Sequence, residues 1–147
     1  MHFQGSVPIG APREKVWDFL TDPHTVSQCA PGLESVEIIT PDKKFRAVVS
    51  AGFGSVKVTF TLDVEWLELD APQRARMKAH GSAPGSATDI TSEMILHEAP
   101  NGATDLKWTA DIVVLGTIAS LAARLMGSVT QELVGTFFNC VKSKIEA

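Results

Sequence analysis

The chain has no tyrosine, only two cysteines and no block of like charge along its 147 residues. The absence of tyrosine removes a frequent acid and hydrogen-bond donor of small-pocket enzymes. The 13 basic and 17 acidic side chains are well mixed and give a net charge of -4. Nucleic acid is therefore excluded as a partner, because binding to phosphates needs a clustered basic surface. With 44% hydrophobic and 20% charged residues, we expect one globular domain over residues 1–147.

The two cysteines, Cys29 and Cys140, lie far apart in the sequence. The opening MHFQGSVPIG has no basic segment followed by an apolar one, so we expect no signal peptide. The expected location is the cytoplasm, where thiols stay reduced. Both cysteines are therefore expected to be free, with a disulfide between them as the less favoured alternative.

A long apolar run, Ile112 to Val141, carries charge only at Arg124 and Glu132. A membrane-spanning helix needs roughly 20 mainly apolar residues. The longest uncharged part of the run, residues 112–123, is shorter than that, and the two charges would lie inside the bilayer. We therefore expect that this segment does not span a membrane.

Hydrophobic periodicity predicts a short helix, a series of strands and a long terminal helix. The clearest period of two runs through VKVTFTLDVEWLEL, residues 56–69, and indicates a strand that is buried on one face. Strands are predicted at residues 2–9, 45–51, 56–69, 74–81, 89–98 and 104–115. One helix is predicted to begin near residue 12, and a second to cover residues 118–144. A short helix or turn is expected in DPHTVSQCAPG. This order predicts an α+β fold with an antiparallel sheet, whose apolar face packs on the long helix.

No catalytic or metal-binding motif is present. The four histidines do not pair with cysteines or carboxylates at zinc-site spacing. Carboxylates such as Asp63 and Glu65 fall on the predicted solvent face of their strand, where they are ordinary surface charges. We therefore predict no catalytic residue, no metal and no cofactor, and a protein that is not an enzyme.

The space between the sheet and the long helix is the candidate site. Small helix residues, Ala119, Ala122, Ala123 and Gly127, are expected to face small strand residues, Ala79 and Ala110. Small residues facing each other leave room for a ligand, whereas filled cores alternate large with small. A completely filled core is the alternative. The predicted lining consists of Phe60, Leu62, Met77, Met94, Trp108, Leu121, Leu125, Met126 and Leu133, with Arg124 at the rim.

Three stretches of the sequence carry a family resemblance. They are GSVPIGAPREKVWDFLTDPHTVSQCAPGLESVE, GFGSVKVTFTLDVEWLELDAPQRARMKAHG and GATDLKWTADIVVLGTIASLAARLMG, followed by Phe137 and Phe138. In order and spacing the chain resembles the family of the carbon monoxide dehydrogenase G-type subunit, within the START-like helix-grip superfamily. This resemblance implies a curved seven-stranded antiparallel sheet around a long C-terminal helix, two short N-terminal helices and a hydrophobic cavity.

The resemblance also implies a role. Members of the family are accessory proteins of aerobic molybdenum CO dehydrogenases and related hydroxylases, and recruit the enzyme to the membrane. The expected ligand is a lipid or a quinone, and the expected partners are components of such an enzyme and, peripherally, the inner membrane face. Family members often carry a hydrophobic tail after the helix. Because this chain ends in KSKIEA, we do not expect a permanent anchor.

Two other functions remain open from the sequence. In the first, a protein–protein assembly factor has a filled core and acts through its surface. In the second, a small-molecule hydrolase or cyclase uses the same cavity. That enzyme would need a polar cluster inside the cavity, for which Ser92, Arg124 and Glu132 are only isolated candidates.

Overall fold

The computed structural model describes residues 1–146 as one sheet with helices on its inner side. The strands are β1 (His2–Ile9), β2 (Leu33–Thr40), β3 (Lys44–Phe53), β4 (Val56–Asp70), β5 (Arg74–Ala83), β6 (Ser86–Ala99) and β7 (Ala103–Gly116). The helices are α1 (Arg13–Thr21), α2 (Pro23–Val26) and α3 (Ala119–Ile145).

The sheet has the order β1-β7-β6-β5-β4-β3-β2, and every neighbouring pair is antiparallel. Tight hairpins join consecutive strands from β2 to β7. Strand β1 completes the sheet by pairing with β7, from His2 opposite Asp111 to Ile9 opposite Thr104. The predicted α+β fold with a seven-stranded antiparallel sheet, a long C-terminal helix and two short N-terminal helices is confirmed.

The alternation in β4 separates an inner from an outer face, as the sequence predicted. Phe60 and Val64 are buried, whereas Asp63 is exposed on the outer face. There, Arg46 donates a 2.8 Å hydrogen bond to Asp63, and Arg74 donates one of 2.6 Å to Glu93. The outer face therefore consists largely of solvated cross-strand ion pairs, and the inner face remains available for α3.

Strand β2 is the strand that periodicity alone did not indicate. Its residues are almost all exposed, including Ile39, and its pairing with β3 shifts register after Leu33 and after Ile38. An irregular edge strand with little burial lacks the alternation that identifies a half-buried strand. Only the family resemblance implied that a seventh strand exists.

Cys29 and Cys140 form a disulfide, with 5.4 Å between their Cα atoms. The prediction of two free thiols is therefore wrong. The loop after α2 and the last third of α3 meet in one core cluster, although 111 residues separate them in sequence. Sequence spacing cannot reveal such a pairing, because it depends on where α3 ends up in the fold. Cytoplasmic location stays a prediction, and reducing conditions there would favour the dithiol.

No helix within residues 1–146 has the length and hydropathy that a transmembrane segment requires. Helix α3 carries Arg124 and Glu132 on exposed positions within its apolar stretch. This agrees with the expectation that residues 112–141 do not span a membrane.

Candidate functional site

Helix α3 is buried at both of its ends, in two separate apolar clusters. Near its N-terminus, Ala122 and Met126 pack with Phe53 of the β3–β4 hairpin. Near its C-terminus, Val141 and Ile145 join a cluster built from α1 and from strands β1, β5, β6 and β7. The helix is thus fixed to the rest of the protein at two points.

The middle of α3 is not buried in the same way. Leu133 is 37% exposed, whereas Ala122 and Val141 near the two ends are 0% exposed. The neighbouring Val129 and Val134 are only half-buried. Because protein cores are close-packed, a helix lying on a filled core would be as buried in its middle as at its ends. The middle of α3 is therefore less tightly packed against the sheet than its two ends.

A row of half-buried residues crosses the inner face of the sheet. Cross-strand pairing places Trp66 beside Met77, Met77 beside Ser92, Ser92 beside Ala110, and Ala110 beside Phe3. All five side chains keep partial exposure although they lie on the face that turns toward α3. We use the name central cleft for the half-buried region between the central sheet and the middle of α3, and take these five residues as its floor.

Trp108 lies on the inner face beside the floor residues, and its position depends on a glycine. It lies opposite Gly5 in the β1–β7 pairing. A Cβ atom at position 5 would come within 2.8 Å of the indole nitrogen of Trp108. The absence of a side chain at Gly5 therefore lets the indole lie flat on strand β1.

The polar groups on the inner face are already satisfied by the backbone. The Ser92 hydroxyl donates a 2.9 Å hydrogen bond to the Thr109 carbonyl oxygen, and the Thr88 hydroxyl donates one of 3.0 Å to that of Val113. Paired in this way, the two hydroxyls add little polarity to the cleft. Over residues 1–146, no cluster of three His, Cys, Asp or Glu side chains is suited to hold a metal ion.

A groove of about 410 Å³ opens between α1–α2 and the β2–β3 hairpin. Trp66 and Phe45 contribute aromatic rings, and Asp18, Asp42 and Lys43 contribute charge. Since Trp66 is also the first residue of the cleft floor, this groove adjoins the central cleft at one edge of the sheet.

A second groove, of about 450 Å³, lies over strands β3 to β6. Its border includes the outer-face residues Arg46, Asp63, His80 and Asp89. His80 and Asp89 lie 2.6 Å apart, and Arg46 pairs with Asp63. Because charges of both signs are already matched there, the second groove shows no preference for a ligand of either charge.

The ten residues predicted to line the site fall into three groups. Phe60, Leu62, Leu121, Leu125 and Met126 belong to the cluster at the N-terminal end of α3, Met94 and Trp108 pack against the C-terminal cluster, and Met77 lies on the cleft floor. Leu133 and Arg124 are exposed on α3. None of the ten borders either groove, and their contact with a ligand stays a prediction.

The prediction that small residues of the helix face small residues of the strands is wrong in two respects. Ala123 and Gly127 are exposed, and an added Cβ at Gly127 would meet no atom within 4 Å. Ala122 is buried, but against Phe53 and Phe60 rather than beside empty space. The buried stripe of α3 is narrower than its apolar composition suggested, so these residues do not create the cleft.

Sequence reasoning missed Trp66, Phe45 and Phe3 as site residues. A signal was present for Trp66, which continues the alternating face of β4 that contains Phe60 and Leu62. No comparable signal existed for Phe3, because its position depends on the pairing of β1 with β7 across more than 100 residues.

Residues 5–146 match the model of the CoxG family, the G-type subunit of carbon monoxide dehydrogenase. The chain belongs to this family. No curated protein matches the chain.

Solved structures share the fold of this CoxG family member. A conserved protein from Geobacillus kaustophilus superposes with a TM-score of 0.90 at 24% identity, covering 98% of this chain and 94% of that one. The Zhui aromatase/cyclase from a Streptomyces species gives 0.76 at 18% identity, covering 98% and 92%. The di-domain ARO/CYC protein BexL gives 0.73 at 19% identity, covering 100% of this chain and 50% of that one. At these identities the likeness establishes the fold alone.

Proposed function

We propose that this CoxG family member is a non-enzymatic accessory protein that holds a lipid or a quinone in the central cleft. In this role it serves an aerobic molybdenum CO dehydrogenase or a related hydroxylase, and brings enzyme and membrane ligand together. The observation that carries the proposal is the weaker burial of the middle of α3 above a half-buried sheet centre.

The shape of the cleft floor favours an elongated apolar ligand. The row from Phe3 to Trp66 crosses four strand spacings, which at about 4.8 Å each amounts to roughly 19 Å. Apart from Ser92, whose hydroxyl is bonded to the backbone, its members are apolar. An acyl or isoprenoid chain matches this length and polarity better than a compact polar metabolite does.

The groove beside Trp66 supports a ligand with one polar end. An apolar chain on the cleft floor would reach this groove where Asp18, Asp42 and Lys43 stand near the aromatic rings. A headgroup or a quinone ring could there combine contacts to aromatic faces with hydrogen bonds to charged groups.

An enzymatic function analogous to that of the aromatase/cyclase neighbours finds less support. Of the groups considered for such chemistry, Arg124 and Glu132 are exposed on α3, and Ser92 is bonded to the backbone. General acid–base catalysis requires titratable groups within hydrogen-bond reach of a common substrate atom. The described part of the chain supplies no such pair on the cleft floor.

Native mass spectrometry of the purified protein, followed by organic extraction, tests the proposal directly. We expect a bound species whose mass matches a lipid or quinone and which is recovered in the organic phase. Loss of this species in Ala110→Phe is expected, because Ala110 is half-buried on the cleft floor, between Ser92 and Phe3. Ala87→Phe, on the outer face opposite Leu115, is the matched control and should retain it.

Quenching of tryptophan fluorescence locates the ligand. Added quinone should quench Trp66 and Trp108 at the cleft more than Trp17, which is buried in the C-terminal cluster. Quenching should therefore fall in Trp66→Phe and in Trp108→Phe but persist in Trp17→Phe. No bound species, together with no quenching in the unaltered protein, would overturn the proposed ligand and favour a filled core.

A further inference from the structure

The disulfide between Cys29 and Cys140 fixes a segment that has little burial of its own. We call residues 22–32, which comprise α2, its cap and the loop to β2, the α2 arm. Within these residues only Cys29 is buried, with 5% exposure, and α2 itself contains no buried residue. Segments with few buried contacts open locally at a small cost in free energy. The α2 arm therefore depends on its attachment points, of which the disulfide is one.

Noncovalent contacts attach the α2 arm to α1 and to the sheet edge. The Thr25 hydroxyl donates a 2.7 Å hydrogen bond to the Phe19 carbonyl oxygen of α1. The Ser50 N–H of β3 donates one of 2.8 Å to the Gly32 carbonyl oxygen. The bond to Cys140 adds an attachment to α3. Cleavage of the disulfide would thus remove a link across the core, while these links along the edge of the sheet remain.

The α2 arm borders the groove beside Trp66. Asp22 and Pro23 of the arm line one side of this groove, and Phe45 of β3 lines the other. Pro23 begins α2, and Cys29 follows the same short helix. A displacement of the arm would therefore change the width of the groove, because one of its walls would move.

Helix α3 has a second attachment that does not depend on the disulfide. Val141 and Ile145, on the turns that follow Cys140, are 0% and 4% exposed in the C-terminal cluster. Phe137 and Phe138 pack against the same cluster. Burial of these apolar side chains holds the end of the helix in place without a covalent bond. Reduction should therefore release the α2 arm and leave α3 docked.

The two sulfur atoms differ in their access to a reductant. Cys140 is half-buried, whereas Cys29 is buried. A dithiol reductant would therefore attack Cys140 through one of its thiolates, form a mixed disulfide with it and release Cys29 as a thiolate that takes up a proton. The second thiol of the reductant then closes a disulfide within the reductant and releases Cys140. Two electrons and two protons pass to the protein pair, and the reductant is oxidised to its disulfide.

We propose that Cys29 and Cys140 form a reversible thiol switch that fixes the α2 arm when oxidised and releases it when reduced. Access to the groove beside Trp66 is thereby coupled to the thiol–disulfide state of the surroundings. In the reducing cytoplasm, where we expect the protein, disulfides that form are usually transient or redox-sensing rather than permanent. The consequence for ligand exchange rests on the proposed function, whereas the release of the arm does not.

Reduction of the folded protein is the first test. After treatment with dithiothreitol in the absence of denaturant, N-ethylmaleimide should label both cysteines, which mass spectrometry detects. Circular dichroism should show that the fold persists, and the untreated protein should remain unlabelled. Labelling only in denaturant, or unfolding on reduction, would make the bond a structural crosslink and overturn the switch.

Hydrogen exchange measures the release of the α2 arm. Amides of residues 22–32 should exchange about tenfold faster in the reduced than in the oxidised protein, because the arm can then open without α3. Amides of residues 137–145 should change much less. Cys29→Ser/Cys140→Ser should behave like the reduced protein and not respond to dithiothreitol, and the reduced unaltered protein supplies the comparison if this variant is destabilised. Equal exchange of the arm in both states, or an equal increase in both segments, overturns the proposal.

Acrylamide quenching measures access to the groove without a ligand. In Trp17→Phe/Trp108→Phe the remaining tryptophan fluorescence comes from Trp66, and its quenching by acrylamide should rise on reduction. Trp108 does not border the groove, so its quenching in Trp17→Phe/Trp66→Phe is the matched control and should change less. No rise for Trp66 would separate the arm from the groove and overturn the coupling.

Ligand exchange separates this switch from the proposed function. With a ubiquinone of two isoprenoid units as the probe, dissociation followed by tryptophan fluorescence should be about tenfold faster from the reduced protein. Equal rates from both states would overturn the control of exchange. If the quinone binds to neither state while the arm and Trp66 still respond to reduction, the proposed function fails and the switch stands.

Discussion

The ends of helix α3 contain completely buried residues, whereas its middle is partly exposed. At the ends, Ala122 and Val141 are completely buried, and a disulfide fixes Cys140 to the loop after α2. In the middle, Leu133 keeps 37% of its surface. A helix can bridge a cleft in this way because the two anchored ends contribute the burial that its middle does not. Burial is thus concentrated in the end turns of this helix, and the ligand that we propose would lie against its middle turns.

The largest expected effect comes from releasing one end. Cys140→Ser should lower the free energy of unfolding by about 2–5 kcal/mol, because a bond closing a loop of this length restricts the unfolded chain strongly. Urea unfolding of the oxidised protein and the variant measures the loss. Dithiothreitol should lower the midpoint of the unaltered protein but leave that of the variant unchanged. Equal midpoints for the oxidised protein and the variant would show that this anchor is dispensable.

Truncation of a side chain should distinguish the anchored regions from the cleft. Leu106 is 1% exposed in the C-terminal cluster, so Leu106→Ala should destabilise the protein by about 3 kcal/mol. Met77 lies half-buried on the cleft floor, and Met77→Ala should cost only about 1 kcal/mol. Denaturant titration compares the two variants directly. Equal losses would mean that the centre is as tightly packed as the ends.

A single methyl group added at Gly5 should displace the Trp108 side chain. Gly5→Ala places a Cβ against the Trp108 indole, and such overpacking typically costs about 1–3 kcal/mol. The emission maximum of Trp108, measured in a variant with Trp17 and Trp66 replaced by Phe, should shift as the ring moves. Gly52→Ala is the matched control in β3, since its Cβ would meet no atom within 4 Å. A similar shift in both variants would contradict the contact.

The smallest expected effect concerns the solvent-exposed edge of the sheet. The hydrogen bond from His2 Nδ1 to Asp111, 2.8 Å long, raises the pKa of His2 above its ordinary 6.5. The pair therefore stabilises the fold fully below the unfolded pKa, and this contribution is lost as the pH rises through the higher folded pKa. A titration of the imidazole by NMR should give a lower pKa in Asp111→Asn. An unchanged pKa would remove Asp111 as the cause.

Much of the fold was predictable from local patterns. The alternation in β4 follows from burial on one face, and the long α3 follows from helical spacing of apolar residues around Ile118 to Val141. The irregular edge strand β2 was not predictable from periodicity, because bulges and exposure remove the pattern. The disulfide was missed because Cys29 and Cys140 approach only when the end of α3 packs on the N-terminal helices.

The candidate site was predictable only in outline. Inner-face residues such as Leu62, Met77 and Trp108 could be assigned to a face from the period of two in their strands. The same period could not show that these residues divide between two apolar clusters and the cleft floor. Periodicity specifies the face of a strand but not the element that covers that face. Ala123 and Gly127 show the same limit, because a small residue on a helix leaves space only where that helix faces a partner.

The sequence by itself determined the elements, the two-faced sheet and the family, because these depend on short-range alternation and on residues fixed in order along the chain. Only the tertiary structure decided that Trp66, Met77, Ser92, Ala110 and Phe3 form one row. The physical reason is cross-strand register. It brings residues that are far apart in sequence within contact distance, and no local pattern encodes that distance.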